Sequence, residues 1–224
     1  MKNRTSLFAL SFSAGLLALS LNGCSSFPRH SSTHDASNPI GGKAINLLQL
    51  RDSVKSTRLA LNRTTDALNR VATTPDAQDS YGAFATELDA FQKFSKKTLL
   101  DSADVRNSGN TLFAKWDEEA KSINDAEIRA IAEQRRTTLQ MSYNAMITPL
   151  LAARADLTDV TSVLSDIRKA LALDLTPAGI AAVKKPIASV NSKAVATSAS
   201  LDKLAADLDR IAAALPAPTV APVK

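Results

Sequence analysis

The amino-acid sequence predicts an all-α fold, an elongated antiparallel helical bundle with coiled-coil character. Alanine is abundant, aromatic residues make up only 4% of the chain, and after Gly42 only Gly82, Gly109 and Gly179 remain. Sheet-rich domains need more turn glycines and more β-branched alternation, whereas this composition is typical of long helices. Apolar residues recur at three- and four-residue steps, which is the period of one helix face. We therefore expect one helical domain over residues 44–214.

The first helix is predicted from about Ala44 to Ala72, because its apolar residues repeat every seven positions as in a coiled coil. Six of the eight residues in this heptad seam are apolar and two are threonine. The charged residues lie between them and form a solvated face. An unpaired seam has to be buried, so it is a candidate surface for self-association. The seam comprises Leu47, Leu50, Val54, Thr57, Leu61, Thr64, Leu68 and Val71.

Two shorter helices are predicted next, from about Pro75 to Leu100 and from about Ala103 to Ile123. Thr74 is a favourable cap, and a proline at the first helical position has no cost because its missing N–H would be unpaired there anyway. The residues expected to face inward are mostly large and apolar: Tyr81, Phe84, Leu88, Phe91, Leu99, Val105, Leu112, Phe113, Trp116 and Ile123.

A long helix is predicted after the segment NDAE, residues 124–127, which resembles a capping box and marks either a new helix or a kink. The apolar pattern continues to Leu173 and passes through Pro149, so we expect a bend over residues 144–148. The residues predicted to face inward are Ile128, Ile131, Leu139, Tyr143, Met146, Leu150, Leu157, Val160, Leu164, Ile167 and Leu171.

The last helix is predicted from Pro177 to about Ala214, with Thr176 as its cap and a bend near Pro186. The short connections make neighbouring helices antiparallel. Residues 215–224 are rich in proline and are predicted to form a disordered tail. The residues of the last helix predicted to face inward are Ile180, Val183, Ile187, Val190, Val195, Leu201, Leu204, Leu208 and Ile211.

Several motifs in the predicted bundle resemble a family of uncharacterised bacterial lipoproteins designated DUF 2959, a domain of unknown function. The resemblance spans about residues 44–214. It implies an all-helical, coiled-coil-like periplasmic body and supplies no catalytic residues. The matching residues are Leu112-Phe113-x-x-Trp116-x-x-Glu119, Ile128-Arg129, Tyr143 and the segment DLTPAGI over residues 174–180.

Residues 1–23 have the three-part organisation of a secretory signal peptide. Lys2 and Arg4 come first, an apolar run from Leu7 to Leu19 follows, and small residues precede Cys24. The apolar run is shorter than the roughly 20 residues that a membrane-spanning helix needs. We therefore expect this segment to direct export and to be removed.

The segment LNGC, residues 21–24, resembles a bacterial lipobox and ends in the only cysteine of the chain. The resemblance implies that the Cys24 thiol receives a diacylglycerol, that the chain is cleaved between Gly23 and Cys24, and that the new amine takes a third acyl chain. An ordinary signal with an incidental cysteine is the alternative. In enteric sorting an Asp after the cysteine retains a lipoprotein in the inner membrane. By that analogy Ser25 implies the periplasmic face of the outer membrane.

Residues 24–43 are predicted to be the acylated cysteine and a flexible tether, because Ser, Pro, Gly and Asn dominate and no apolar period is present. Both histidines of the chain, His30 and His34, lie in this segment. As a metal site they would supply two ligands, which are too few for a closed site. A solvated linker is therefore the favoured interpretation.

No catalytic, cofactor-binding or metal site is predicted in the bundle. A serine nucleophile would need a neighbouring base, and both histidines precede the bundle. Glu118 and Glu119 beside Trp116 are candidates for paired carboxylates. A simpler interpretation buries Trp116 and exposes Asp117 and Glu118 to water. The sequence has no glycine-rich phosphate loop.

Taken as a whole, the sequence favours a non-enzymatic outer-membrane lipoprotein, a helical scaffold or interaction module of the cell envelope. Its expected partners are membrane lipid, through Cys24, and an envelope protein or a second copy of the chain. The alternative is a carrier of an apolar ligand such as a lipid, with a groove lined by Phe84, Phe91, Phe113 and Trp116. A hydrolase is the remaining alternative. Nucleic acid is not an expected partner, because no basic stripe alternates with aromatic residues.

Overall fold

The structure, a computed structural model, describes residues 39–74 and 76–215. These residues form five α-helices and no strand, so the predicted all-α bundle is confirmed. The predicted signal peptide, Cys24 with its cleavage site, His30, His34 and the tail after Leu215 lie outside the described residues. The helices are α1 (Pro39–Thr73), α2 (Ala77–Lys121), α3 (Ala126–Leu173), α4 (Pro177–Ala182) and α5 (Lys184–Ala214).

Four helices surround the core in cyclic order. α1 packs against α2 and α5, and α3 packs against the same two helices. Within the described ranges α1 and α3 lie diagonally opposite, without direct contact. We call this packed region the four-helix body.

Polar pairs across α1 and α5 define how these two antiparallel helices are aligned. Along α1 the paired positions advance by seven, four and seven residues, and along α5 they recede by the same steps. We call these pairs the α1–α5 ladder. Its members are Arg51 with Asp209 (2.6 Å), Arg58 with Asp202 (2.9 Å), Asn62 with Ser198 (2.9 Å) and Asn69 with Asn191 (2.6 Å).

The heptad seam predicted on α1 is buried at all eight positions. Its two threonines are satisfied inside the core. The Thr57 hydroxyl is 2.9 Å from the Thr98 hydroxyl of α2, and the Thr64 hydroxyl donates to the carbonyl of Ala60 at 2.8 Å. Since α2 and α5 cover this side of α1 within one chain, the seam itself is not a free face for self-association. α1 also begins at Pro39, five residues before the predicted start.

The two helices predicted over residues 75–100 and 103–123 are one continuous helix, α2. The polar residues at the expected junction make tertiary contacts. Asp101 is buried and accepts hydrogen bonds from Ser53 of α1 and from Lys97, the latter at 2.7 Å. The Ser102 hydroxyl accepts a hydrogen bond from Arg154 of α3. Because no proline or glycine lies between residues 100 and 103, nothing in the backbone ends the helix there.

The capping box marks a new helix, as one of its two interpretations predicted. The Asp125 carboxylate accepts hydrogen bonds from the backbone N–H groups of Glu127 and Ile128, at 2.9 and 3.0 Å. This satisfies two of the donors that a helix start leaves unpaired. α3 then runs for 48 residues, about 72 Å, and continues through Pro149. The bend predicted over residues 144–148 stays a prediction.

The single helix predicted from Pro177 is two helices, α4 and α5, which meet at Val183. Pro186 explains the break, because its ring clashes with the carbonyl four residues earlier and it has no N–H to donate. The predicted Thr176 cap is confirmed, since its hydroxyl accepts from the N–H of Gly179 at 3.3 Å. Gly179 is required here because a Cβ atom would lie 2.4 Å from the Asp174 carboxyl carbon.

Three residues predicted to face inward are exposed, namely Ile128, Ile131 and Val195. On α5 the buried positions beside Val195 are Ala194 and Thr197, so the core takes a smaller residue one position earlier. On α3 the cause is different, because Ile128 and Ile131 lie where the body has ended. The other predicted inward positions of the bundle are buried or half-buried.

Candidate functional site

α2 and α3 continue past the level at which α5 ends. Leu47 near the start of α1 and Leu215 at the end of α5 line one small cavity with Phe113 of α2 and Leu139 of α3. Beyond this level, residues 114–138 form a hairpin of two helices. We call residues 114–138 the α2–α3 extension. Most of its side chains are exposed or half-buried.

The tip of the extension is held by hydrogen bonds from Arg129. Its guanidinium donates to the backbone carbonyl of Ile123 at 2.9 Å and to that of Asn124 at 3.3 Å. These carbonyls belong to the connection between α2, which ends at Lys121, and α3, which begins at Ala126. Arg129 therefore closes the turn between the two helices.

An ion-pair group connects the two arms of the extension. Lys121 donates a hydrogen bond to Asp117 one turn earlier in α2, and Arg136 of α3 lies 3.6 Å from the same carboxylate. The hydrogen bond from Lys121 lowers the pKa of Asp117, and that bond raises the pKa of Lys121. Both side chains stay charged at neutral pH.

At the base of the extension, Tyr143 of α3 lies directly over Gly109 of α2. A Cβ atom at position 109 would be 2.2 Å from the tyrosine ring, so only glycine permits this packing. The Tyr143 hydroxyl donates to the backbone carbonyl of Val105 at 2.9 Å, and its ring meets Phe113 edge-on with centroids 5.4 Å apart. Burial raises the pKa of Tyr143, so the phenol remains neutral and keeps this hydrogen bond.

Two cavities lie side by side at this level. The apolar one is about 20 Å³ and is enclosed by Leu47, Phe113, Leu139, Tyr143 and Leu215 among others. That volume holds about one water molecule. Leu215 was predicted to begin a disordered tail, but it is buried against the body.

The second cavity is polar and open, with a volume of about 240 Å³. Carboxylates, amides and a hydroxyl line most of it, so it can exchange hydrogen bonds with a polar group. Its one buried carboxylate, Asp101, already has Ser53, Lys97 and Gln49 as donors. The lining comprises Asn46, Gln49, Asp101, Asp104, Val105, Asn107 and Ser108.

The residues proposed from sequence as chemical candidates separate in the structure. Trp116 is buried, whereas Glu118 and Glu119 are exposed and Asp117 is half-buried, so no carboxylate pair faces a cleft here. Phe84 and Phe91 have no solvent exposure and belong to the core. The groove predicted from these phenylalanines together with Phe113 and Trp116 is therefore not formed.

Gly109 is the residue that sequence analysis missed. The sequence did contain an indication of it. An isolated glycine inside a helical pattern destabilises the helix by about 1 kcal/mol relative to alanine, and its presence often marks a close packing contact. The partner, Tyr143, is 34 residues away in sequence, and no periodicity joins the two positions.

The described residues contain no group of three or more His, Cys, Asp or Glu side chains placed to hold a metal ion. Within the same ranges, none of the helices combines the length and apolar character needed to cross a membrane.

Comparison with known proteins finds a matching family but no matching individual protein. No curated protein and no solved structure matches the chain. Residues 45–214 match the profile of a family described as a protein of unknown function. The match includes all of α2 to α5 and most of α1, and with them the Gly109–Tyr143 contact. The chain belongs to this family, DUF2959.

Proposed function

We propose that this protein is a lipid-anchored, non-catalytic interaction module of the bacterial cell envelope, held at the periplasmic face of the outer membrane. The single observation that carries the proposal is the LNGC segment at residues 21–24, placed directly after a short apolar run and containing the only cysteine. Two or three acyl chains on Cys24, each stabilised by about 0.8 kcal/mol per buried CH₂, would hold the chain permanently at a membrane.

The interaction role is supported by the α2–α3 extension. In the body, neighbouring helices of the same chain bury the heptad seam of α1. The extension adds a two-helix surface that the core does not require. Its outer faces carry exposed charges of both signs, including Lys115, Glu118, Glu119 and Arg135. A surface of this kind fits an envelope protein that recognises charge as well as shape.

The ligand-carrier alternative receives less support. A carrier needs an apolar cavity of some hundreds of cubic ångströms. The apolar cavity beside Leu215 measures about 20 Å³, and the aromatic residues suggested for a groove include two, Phe84 and Phe91, that are in the closed core.

The anchor is tested with two variants of the full chain expressed in bacteria with labelled palmitate. Wild type should take up label and fractionate with the outer membrane. Cys24→Ala should lose the label and accumulate as a longer precursor. Ser25→Asp should keep the label but move to the inner membrane in an enteric host. Equal labelling of Cys24→Ala and wild type would refute the anchor.

The interaction role is tested by placing a photo-crosslinking amino acid at Glu118 on the extension or at Arg63 on the body, both exposed. Crosslinking in intact cells should give a larger adduct from position 118 and little from position 63. Adducts of equal yield from both positions would show that the extension is not the interaction surface.

A further inference from the structure

The core-facing side of the extension carries an uncovered apolar stripe. Ile128 and Ile131 are 56% and 62% exposed. Ile128 precedes Leu139 by eleven residues and Met146 by eighteen, which are close to three and five full helical turns. Ile128 therefore continues the face of α3 that the body buries. On α2, Trp116 lies one turn beyond Leu112 and is buried, so the uncovered stripe consists of Ile128 and Ile131 on α3.

The end of α5 lies next to this stripe. Leu215 is 8% exposed and shares its cavity with Leu139, the buried residue of α3 that lies nearest to the stripe. Its backbone angles, φ −80° and ψ 145°, are those of polyproline II and not of a helix. The last described residue of the chain therefore lies at the lower edge of the stripe, in an extended geometry.

The sequence after Leu215 matches the stripe in length and chemistry. Ile128 lies about 16 Å beyond Leu139 along α3. The five residues PAPTV, 216–220, span about 15 Å at the polyproline II rise of roughly 3.1 Å per residue. None of these five residues is charged, so the segment can lie against the apolar side chains of Ile128 and Ile131.

A second copy of the chain fits this stripe less well than residues 216–220 do. The extension is roughly 20 Å long and two helices, or about 20 Å, wide, so one face of it offers about 400 Å². A stable interface between two proteins buries about 800 Å² on each side. The stripe is too small for a stable dimer but has the size of a short peptide.

We propose that residues 216–220 of the chain dock along the α2–α3 extension and cover Ile128 and Ile131. The docked segment would pack against the two helices of the extension as a third element from the same chain. This inference does not depend on the lipid anchor, because it uses only the end of α5 and the face of α3.

The test is hydrogen–deuterium exchange on the full chain, followed in two regions of α3. One variant ends at Leu215 and another carries Val220→Asp, which keeps the chain length and adds a charge. In both variants amides 126–134 should exchange about tenfold faster than in wild type. Amides 160–171, inside the body, should be unchanged and report that the fold is intact. Val195→Asp, on the exposed side of α5, is the matched charge control and should alter neither region.

Two results would overturn the proposal. Unchanged exchange of amides 126–134 in both variants would show that residues 216–220 do not cover the stripe. Protection of these amides in wild type that rises with protein concentration would instead make a second copy the occupant.

Discussion

The four-helix body and the α2–α3 extension share the same two helices, yet they use apolar residues differently. In the body, Leu157, Leu164 and Ile167 of α3 are buried by α2 and α5. In the extension, Ile128 and Ile131 continue the same helical period but have no described helix above them. A helical period therefore defines the direction of an apolar face, and the length of the neighbouring helices decides whether that face is covered.

The largest expected effect comes from one substitution made in both regions. Ile167→Ala in the body should lower the free energy of unfolding by about 2–5 kcal/mol, because it removes buried methylenes and leaves a cavity. In the chain that ends at Leu215, Ile131→Ala in the same helix should change it by less than about 0.5 kcal/mol, because that side chain is then exposed. Urea unfolding followed by circular dichroism measures both. Similar losses for the two variants would mean that the extension is packed as tightly as the body.

The next effect compares two glycines of α2. Gly109→Ala should destabilise the protein by about 1–3 kcal/mol, because its Cβ would overlap the Tyr143 ring and displace the hydrogen bond to Val105. Gly82→Ala should stabilise it by up to about 1 kcal/mol, because that site is open and alanine is the better helix former. Thermal unfolding distinguishes the two. A Gly109→Ala variant as stable as Gly82→Ala would refute the close contact at the base of the extension.

The smallest effect concerns acid sensitivity. The hydrogen bond from Arg51, with a second from Lys55, lowers the pKa of Asp209 in the folded body. Ionised Asp209 therefore stabilises the fold above the unfolded pKa, and this contribution is lost as the pH falls through the folded pKa, below about pH 4. Because the carboxylate is partly exposed, Asp209→Asn should cost only about 0.2–1 kcal/mol at pH 7, and the loss should vanish in acid.

Asp117 in the extension is the matched control. Its pKa is also lowered, chiefly by the hydrogen bond from Lys121 in the same helix. Because that bond does not join two helices, Asp117→Asn should flatten the acid dependence of unfolding less than Asp209→Asn does. If Asp117→Asn reduced the acid dependence of unfolding more than Asp209→Asn does, Asp209 would not be the more acid-sensitive contributor of the two. Urea midpoints measured from pH 3 to pH 7 give both profiles.

Local chemistry and periodicity explain what the sequence could predict. The α1 seam, the Asp125 and Thr176 caps and the direction of most inward-facing residues depend on neighbours within a few positions. The single helix over residues 77–121 could not be predicted in this way. Between the two helices expected there, Asp101 and Ser102 are bonded to Ser53 and Arg154, which lie about 50 residues away in sequence.

The candidate site was predicted only in part, for the same physical reason. Trp116, Phe113 and Tyr143 were identified as inward-facing, and they are buried. That Tyr143 lies on Gly109 depends on the alignment of α2 with α3, which heptad spacing does not determine. The exposure of Ile128 depends on where α5 ends, and no residue near position 128 carries that information.

The α1–α5 ladder has a consequence for how the chain avoids misalignment. Heptad seams look the same after a shift of seven residues, so apolar contacts alone would accept a slipped pairing. With α5 moved by one heptad, Arg58 would face Val195 and Asn69 would face Lys184, while Asp209 would lose both cations. Because the polar pairs of the ladder are spaced unevenly, by seven, four and seven residues, all of them form together in only one alignment. Any engineered lengthening of this bundle has to preserve that spacing on both helices.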